Sequence, residues 1–579
     1  MGGIASPSAP PEQCYAAPMR KALLAAVAVL LSSPAFADTL IDNARGIQVG
    51  PDGQLQRFRA LVINDKGKVV QVLRDGQTAV MPIVRTVDVG GRTLLPGLID
   101  GHGHVVDSPG GDMGLGLMIL QLDVNGTSSI ADMQQKLAAY AKANPGQGWI
   151  VGRGWNQELW PDKRFPTAAD LDAVVPDRPV MLARVDGHAV LANSAALKIA
   201  GITSATRDPQ GGKIERDAKS EPTGLLIDNA IALVASHVPQ PTTEMMDRGL
   251  EAAQDFLLSN GITTVADMGT SRSSWAAMQR LGNAGKLRMR FITYADGSQP
   301  LANERPTEWL YADRLRMVGF KLYADGALGS RGAWLKQPYA DKPDTSGLQF
   351  LKDAELVAKA DEAASRGFQV AVHAIGDAAN AQVISTYELL SRKYGKDRRW
   401  RIEHFQIADP ADIPRLAPAG IIASMQPTHQ TSDRLMAEKR LGPDRLKGAY
   451  AWQSVLKSGA WIAFGSDFPV ESPNPFPGLA AAVSRQDMTG QPQGGWIPEE
   501  RVTFEQALSG FTRDAAYAGF AEQKLGALEP GKWADFIIVD RDVSSDGPQA
   551  LGRTQVLETW VAGKKVWSRA SGAAAERGR

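Results

Sequence analysis

The sequence predicts an α/β protein: a (β/α)8 TIM-like barrel with a composite β-sandwich domain from both chain ends and an inserted domain. Eight apolar runs alternate with helical stretches, which is the order of a parallel sheet closed into a barrel. Short strands with Gly and Asp turns occur at both ends of the chain, and a long stretch separates the first apolar run from the second. The predicted barrel strands are residues 95–100, 261–267, 288–294, 317–323, 368–373, 399–404, 420–426 and 460–466.

The segments outside the barrel follow from the same pattern. Neither chain end has enough strands for a stable sheet alone, so we expect both ends to combine into one β-sandwich. The gap after the first barrel strand is far longer than one βα unit needs, which indicates an insertion with strands of its own. The predicted segments are 1–37 (leader and signal peptide), 38–95 (sandwich, first part), 96–119 (barrel start), 120–250 (insertion), 251–515 (barrel remainder), 516–570 (sandwich, second part) and 571–579 (flexible tail).

Residues 19–37 have the three parts of a secretory signal. Arg20 and Lys21 precede an apolar stretch that is too short to span a bilayer, and Ala-Phe-Ala at 35–37 fits a cleavage site. We therefore expect a periplasmic or secreted protein with no stable membrane insertion after signal removal. The single cysteine, Cys14, lies in the leader, so the mature chain would have neither a disulfide nor a reactive thiolate.

The charge balance gives no sign of a nucleic-acid partner. Lys+Arg and Asp+Glu both total 63, and no basic stripe or acidic tail stands out. We expect the partner to be a small-molecule substrate, and a homodimer is left open.

Metal-ligand residue types stand at the ends of several predicted barrel strands. Because the carboxyl ends of barrel strands meet at one rim, these side chains are expected to converge. Imidazole and carboxylate ligands suit zinc, with manganese, iron or nickel as alternatives. The candidate ligands of one or two divalent metal ions are His102, His104, Lys321, His373, His404 and Asp467.

Lys321 has two interpretations. A lysine at a strand end can extend its ammonium to the barrel rim, where water solvates it. Alternatively, a neutral lysine amine takes up CO2, and the resulting carbamate bridges two cations, which would explain a lysine among histidines.

The chain resembles the amidohydrolase superfamily, and specifically its YtcJ-like branch, which includes N-substituted formamide deformylases. Resemblance implies a composite sandwich joined to a metal-dependent barrel, in agreement with the strand pattern. The matching segments are Leu95-Pro-Gly-Leu-Ile-Asp-Gly-His-Gly-His104, Gly152-Arg-Gly-Trp-Asn156, Val185-Asp-Gly-His188, Phe320-Lys-Leu-Tyr-Ala-Asp-Gly-Ala-Leu-Gly-Ser-Arg331, His373-Ala-Ile-Gly-Asp377, Arg401-Ile-Glu-His404, Gln426-Pro-Thr-His429 and Gly465-Ser-Asp467.

The resemblance also implies roles for the ligands. The His-x-His pair at 102–104 would bind the more buried metal, and a Lys321 carbamate would bridge to a second metal bound by His373 and His404. Asp467 would ligate the first metal and act as general base toward a metal-activated hydroxide. The number of metals stays open.

Further residues are candidates for substrate contact. His188 is either an exposed loop residue or, by the resemblance, a catalytic lid residue that contacts the substrate or stabilises its oxyanion. His429 should face the pocket, and Arg331 and Trp334 either bind substrate or pack in a loop. Trp155 is a candidate of the same kind, although core packing in the insertion is the simpler interpretation.

The predicted function is hydrolysis of a C–N bond in amides or N-acyl compounds, with formamides as the specific expectation. An esterase or lactonase would use the same site, and a barrel that only binds partners is the non-enzyme alternative. Retention of the histidines, Lys321 and Asp467 argues against the non-enzyme alternative.

Glu403 is predicted to point away from the site by strand alternation and to form a structural ion pair.

Overall fold

The computed structural model describes residues 38–107, 114–146, 148–185, 187–297 and 305–570. Its strands form one eight-stranded sheet, two six-stranded sheets and one four-stranded sheet. The predicted signal segment 1–37, which includes Cys14, and the predicted tail 571–579 lie outside the described residues. Within those ranges, no helix combines the length and the apolar character that crossing a bilayer requires.

The N-terminal strands are short and turn on Gly- and Asp-containing segments. They are β1 (Asp38–Asp42), β2 (Arg45–Val49), β3 (Leu55–Phe58), β4 (Ala60–Ile63), β5 (Val69–Leu73), β6 (Ile83–Asp88) and β7 (Thr93–Pro96). The four-stranded sheet has the order β5-β4-β1-β6. Gly67, in the β4–β5 turn, has a φ of +80°, and an added Cβ would lie 2.2 Å from the Ala562 carbonyl oxygen, so this close approach requires glycine.

The first barrel strand, β8 (Leu98–Gly103), leads into the insertion through α1 (Leu115–Ile119). The insertion has its own sheet and its own apolar core around Trp155 and Trp160. Its elements are β9 (Leu122–Asp123), α2 (Ile130–Ala143), β10 (Ile150–Trp155), α3 (Ala168–Asp172), β11 (Val180–Arg184), β12 (Ala189–Ala192), α4 (Ser194–Ile199), β13 (Gly212–Arg216), β14 (Pro222–Asp228) and α5 (Ala232–Ala235). The sheet order is β13-β14-β12-β11-β10-β9.

The remaining barrel strands pair in parallel and in sequence order after β8. They are β15 (Ile262–Thr270), β16 (Arg290–Asp296), β17 (Leu315–Tyr323), β18 (Gln369–Ala374), β19 (Trp400–His404), β20 (Ile421–Met425) and β21 (Trp461–Phe464). The ring closes where Asp467 N donates to His102 O at 2.7 Å and His104 N donates to Phe468 O at 2.8 Å. All eight predicted strands are confirmed. They are almost wholly buried, because helices cover the sheet from outside.

Helices accompany the barrel strands. They are α6 (Thr243–Ser259), α7 (Arg272–Asn283), α8 (Asp353–Ser365), α9 (Asp377–Tyr394), α10 (Leu416–Ala419), α11 (Pro427–Leu441), α12 (Trp452–Lys457), α13 (Pro475–Ser484), α14 (Phe504–Gly510) and α15 (Arg513–Ala518). Helix α15 packs against β8 and β21, so the barrel layer continues past the predicted boundary at residue 515.

The C-terminal strands complete a sheet that the N-terminal strands begin. Strand β22 (Phe536–Val539) comes first and is followed by helix α16 (Pro548–Leu551). Strands β23 (Val556–Val561) and β24 (Lys564–Ser568) then end the described chain. The six-stranded sheet has the order β24-β23-β22-β7-β2-β3, so both chain ends contribute to it, as the sequence predicts. A buried ion pair between Arg290 of β16 and Asp535, just before β22, ties this sheet to the barrel.

Candidate metal centre

The predicted ligands converge at the carboxyl end of the barrel. His102, His104, Lys321, His404 and Asp467 are each at least nine-tenths buried. His373, at the end of β18, keeps 15% of its side chain exposed. Rings from different strands approach closely: the His373 and His404 centroids are 4.5 Å apart, and those of His102 and His404 are 4.7 Å apart. The barrel rim therefore brings together every ligand that the sequence predicts.

Asp467 is the common member of two groups of donor atoms. Its Oδ1 lies 3.3 Å from His102 Nε2 and 3.2 Å from His104 Nε2. Its Oδ2 lies 3.7 Å from His429 Nε2. Each group, His102–His104–Asp467 and His404–His429–Asp467, has its donor atoms within 4.8 Å of one another, as a bound cation requires.

Lys321 lies beside His102 and lines the same cavity as His404 and His429. It is 1% exposed, and its Nζ is 3.5 Å from His102 Nε2. Burial lowers the pKa of the Lys321 ammonium to about 8, although the carboxylates of Glu403 and Asp467 oppose the shift. With a pKa of about 8, the Lys321 side chain is mainly an ammonium at pH 7, and its neutral amine is a minor fraction that grows as the pH rises.

Backbone strain brings two of the ligands into the site. His404 and Asp467 have φ values of +76° and +59°, in the left-handed region that non-glycine residues rarely adopt. Such residues cost about 1–3 kcal/mol each and persist where the surrounding structure holds them. Because His404 is turned inward, it and its neighbour Glu403 both face the barrel interior.

Glu403 corrects the prediction that it points away from the site. It is fully buried, its Oε2 accepts a 2.7 Å hydrogen bond from His102 Nδ1, and Arg401 Nε donates to its Oε1 at 2.7 Å. The predicted ion pair therefore exists, but the same carboxylate also orients a ligand. Burial would raise the pKa of Glu403, but the Arg401 charge and the His102 hydrogen bond hold it well below its ordinary value.

The charge states of the side chains fit a cation. Burial lowers the pKa of His102 to about 4 and that of His373 to about 3, and it holds the pKa of His404 well below its ordinary value. Burial alone would raise the pKa of Asp467, but the histidines around it hold that pKa well below its ordinary value. Neutral imidazoles around an ionised carboxylate are the protonation states that metal binding requires.

Unpartnered buried nitrogens give a second sign of a bound ion. His104 Nδ1 and His373 Nε2 are buried and have no hydrogen-bond partner among the described residues. A buried polar atom without a partner costs about 1–3 kcal/mol, so a native site supplies one. The nitrogen and carboxylate donors here fit zinc and related divalent ions.

Buried aspartates that the sequence reasoning missed support the ligands. Asp100 accepts the backbone N–H groups of His102 and Ser466, and Asp325 accepts those of Ile375 and Gly376. Burial raises the pKa of each of these two carboxyls to about 7. Asp100 lies in the same strand-end segment as His102, and Asp325 in the same segment as Lys321. This position in the sequence is the feature that could have predicted their role.

A cavity of about 510 Å³ lies over the centre. His104, Lys321, His373, His404 and Asp467 line it, which makes the centre accessible to a small molecule. The lining also includes His429, in agreement with the prediction that it faces the pocket, together with Tyr323, Gln406, Asp433, Met436 and Glu471. Such a pocket size suits a small-molecule site.

Arg331 and Trp334 do not line this cavity. Arg331 forms an ion pair with Asp341, with its Nη2 2.9 Å from Asp341 Oδ2. Trp334 is half-buried against the core, and its backbone N–H donates to Asp325 Oδ2 at 2.8 Å. Both residues therefore fit the interpretation that they pack in a loop, and neither reaches the cavity.

The insertion residues also lie outside the cavity lining. Trp155 is fully buried in the insertion core and donates to Leu182 O at 2.8 Å, which corrects its assignment to substrate binding. The His188 side chain is 73% exposed, and its Nδ1 is 2.9 Å from Asp228 Oδ1. This exposure contradicts a catalytic position for His188. Its neighbour Asp186 lies outside the described residues.

Several known proteins are similar to this chain in sequence over most of its length. "Protein LONG AFTER FAR-RED 3" of Arabidopsis thaliana is 36% identical over 558 residues, which cover 93% of this chain and 89% of that protein. "Putative amidohydrolase YtcJ" of Bacillus subtilis is 32% identical over 493 residues, covering 84% and 91%. "N-substituted formamide deformylase" of Arthrobacter pascens is 27% identical over 521 residues, covering 87% and 93%.

A solved structure and a family model agree with these relatives. The uncharacterized metal-dependent hydrolase from Pyrococcus horikoshii OT3 matches with a TM-score of 0.71 at 26% identity, covering 88% of this chain and 99% of that chain. Residues 85–567 match the model of the amidohydrolase family. With its histidine and aspartate ligands at the barrel rim, the chain belongs to the amidohydrolase family, in the YtcJ-like branch, and is a metal-dependent hydrolase.

Proposed function

We propose that the protein hydrolyses the C–N bond of an amide, N-acyl or N-formyl compound. The observation that supports this most is Asp467, a buried ionised carboxylate that lines the cavity among neutral histidines. The Arthrobacter pascens relative is named as an N-substituted formamide deformylase, which favours formamides as the substrate class.

The proposed ligands are those that converge at the rim. His102, His104 and Asp467 would hold one divalent ion, for which zinc is our choice. A second ion would be held by His373 and His404, with Lys321 shared between the two. When bound, such ions lower the pKa of water toward neutrality and polarise the scissile carbonyl.

Asp467 has a task that distinguishes amides from esters. An amine leaves an amide readily only after its nitrogen gains a proton, whereas an alkoxide leaves an ester more easily. Asp467 Oδ1 lies 3.3 Å from His102, a proposed ligand, and Oδ2 lies 3.7 Å from His429 in the cavity lining. The carboxylate would therefore reach both the metal side and the substrate side, where it could accept the proton of the attacking water and pass it to the leaving nitrogen.

Lys321 is proposed to carry a carbamate. The neutral amine attacks CO2 through Nζ, forms an N–C bond and releases one proton, which yields an anionic group in place of an ammonium. The pKa of about 8 makes the neutral amine more available than in an ordinary lysine, and with Nζ 3.5 Å from His102 Nε2 the carbamate oxygens would lie near the proposed ligands.

A substrate panel tests the proposed reaction. The metal-loaded enzyme is supplied with N-formyl, N-acetyl and aryl-amide compounds beside the matching esters, and the metal-stripped enzyme and Asp467→Asn serve as controls. We expect metal-dependent release of amine, with the formamides fastest. Turnover of the esters alone would contradict the proposal and favour the esterase alternative.

We further propose that the protein is exported and acts on small molecules outside the cytoplasm. Support comes from the tripartite segment at residues 19–37. Mass spectrometry of the periplasmic fraction should find Asp38 at the N-terminus. An intact leader on cytoplasmic protein would contradict export.

A further inference from the structure

Besides the candidate metal ligands, the wall of the cavity over the metal centre has two acidic side chains. Asp433 of α11 and Glu471, which follows β21, both line it. Tyr450 OH donates to Asp433 Oδ2 at 2.7 Å, and Ser432 Oγ donates to Glu471 Oε1 at 2.5 Å. These neutral hydroxyls position the two carboxyl groups. Burial raises the pKa of Asp433, although His429 and the Tyr450 hydrogen bond oppose the shift, so a bound cation would stabilise the ionised form of Asp433.

The described part of the chain supplies no cation to this wall. Lys321, beside His102, is the only lysine or arginine among the described residues that line the cavity. Arg434, next to Asp433 in sequence, lies 3.2 Å from Asp487 instead, and Arg331 pairs with Asp341. Like charges in a partly buried wall repel each other unless a cation lies between them.

His429 gives an independent sign that a ligand binds here. It is 7% exposed and lines the same cavity, and its Nε2 has no hydrogen-bond partner. Gln406 Nε2 donates to His429 Nδ1 at 3.0 Å in the assigned orientation, which places the ring proton on Nε2. A buried N–H donor facing the cavity calls for an acceptor, which an amide carbonyl oxygen provides.

We propose that the substrate is an amide whose N-substituent carries a positively charged group, such as a primary ammonium, bound by Asp433 and Glu471. This inference rests on the proposed function. In a formamide the acyl side is a single hydrogen, so the group that fills a cavity of about 510 Å³ belongs to the amine side. Ile375 and Met436 in the same lining contact the aliphatic linker.

Compounds of equal length and different charge test the inference. We choose N-(4-aminobutyl)formamide as the cation, N-pentylformamide as the neutral compound and N-(3-carboxypropyl)formamide as the anion. We expect kcat/KM to fall in that order, with the cation favoured over the neutral compound by about 10- to 100-fold, as one or two charged hydrogen bonds would produce. Asp433→Asn and Glu471→Gln should each reduce this ratio, and the double variant should abolish it. Asp444→Asn removes an exposed charge from the segment after α11, outside the cavity lining, and should keep the ratio.

Calorimetry of the same compounds separates the inference from the proposed function. Equal kcat/KM for the cationic and neutral compounds would overturn the inference and leave the C–N hydrolase standing. If no compound is hydrolysed, the proposed function fails, and the Kd ratio of the cationic and neutral compounds still decides the charge preference. A ratio near one, or a preference that survives the double variant, overturns the inference in either case.

Discussion

Two histidine–carboxylate pairs in this protein have similar geometry and opposite surroundings. His102 Nδ1 lies 2.7 Å from Glu403 Oε2, and His188 Nδ1 lies 2.9 Å from Asp228 Oδ1. The side chains of the first pair are fully buried in the barrel, whereas those of the second are 73% and 50% exposed on the insertion. A hydrogen bond between histidine and carboxylate therefore does not by itself mark a metal centre.

The two pairs differ in what the second ring nitrogen of the histidine faces and in how far solvent reaches the pair. His102 Nε2 faces Asp467 and Lys321, so the buried pair orients a nitrogen toward other donors. An exposed pair gains at most about 1 kcal/mol, because water screens its charges. Changing the buried pair should therefore alter metal affinity, whereas changing the exposed pair should alter metal affinity and stability very little.

The largest expected effect follows the loss of Lys321. Lys321→Ala should lose the second metal and on the order of 10³-fold or more in kcat/KM, as when a residue on which the reacting groups depend is removed. Metal analysis and kinetics measure both quantities. Acetate or propionate should restore part of each by replacing the carbamate.

Lys321→Arg is the matched control for that variant. A guanidinium stays charged and cannot take up CO2, so this variant should not recover metal or rate. Full metal content and rate in Lys321→Ala would mean that the lysine only packs in the barrel.

The next effect concerns stability and uses Asp535, whose buried pair with Arg290 joins the barrel to the C-terminal strands. Asp535→Asn should lower the free energy of unfolding by about 3–5 kcal/mol, because it leaves the buried Arg290 charge unpaired. Asp228→Asn on the exposed pair should change it by at most about 0.5 kcal/mol. Urea denaturation of both variants measures the difference. Similar values for the two variants would contradict the comparison.

The same ion pair has a predictable pH dependence. Burial would raise the pKa of Asp535, but Arg290 holds it below the ordinary value of 3.8. The contribution is therefore complete above that value and disappears as the pH falls through the lowered pKa. In acid titrations, wild type should lose stability relative to Asp535→Asn only below about pH 4.

Glu403→Gln tests the role of the buried carboxylate on the metal. The variant keeps the volume and loses the charge that orients His102, so zinc affinity should fall by about 10- to 100-fold. Competition with a chelator measures the change, and Asp228→Asn is the matched control on the exposed pair. Unchanged affinity in Glu403→Gln would show that His102 does not depend on this partner.

The smallest effect is expected for His188→Ala. Metal content should equal that of wild type, and kcat/KM should fall by at most about fivefold, since the side chain is exposed and lies outside the cavity lining. Loss of metal from this variant would place His188 among the ligands and contradict the structure.

Much of this arrangement could be predicted from the residues alone. The alternation of apolar runs and helices predicts all eight barrel strands, and the ends of those runs contain every ligand from His102 to Asp467. The errors lie where simple alternation fails. Glu403 was placed outside the site because a regular strand would turn adjacent side chains in opposite directions, and the left-handed backbone at His404 removes that rule.

Other assignments depended on contacts between distant segments. Nothing local distinguishes Arg331, which pairs with Asp341, from an arginine that binds substrate. Likewise, the burial of Trp155 and the exposure of His188 follow from how the insertion packs on itself. Asp433 and Glu471 belong to different segments, and only the tertiary structure brings both into the cavity lining.

The sequence by itself determined the barrel, the shared sheet of the two chain ends and the candidate ligands at the strand ends, because these depend on periodicity and on residue type. The tertiary structure alone decided that Glu403 orients His102, which residues line the cavity and that His188 is exposed to solvent. The physical reason is that charge states and ligand geometry depend on burial and on partners brought together across the barrel, and neither can be read from local sequence.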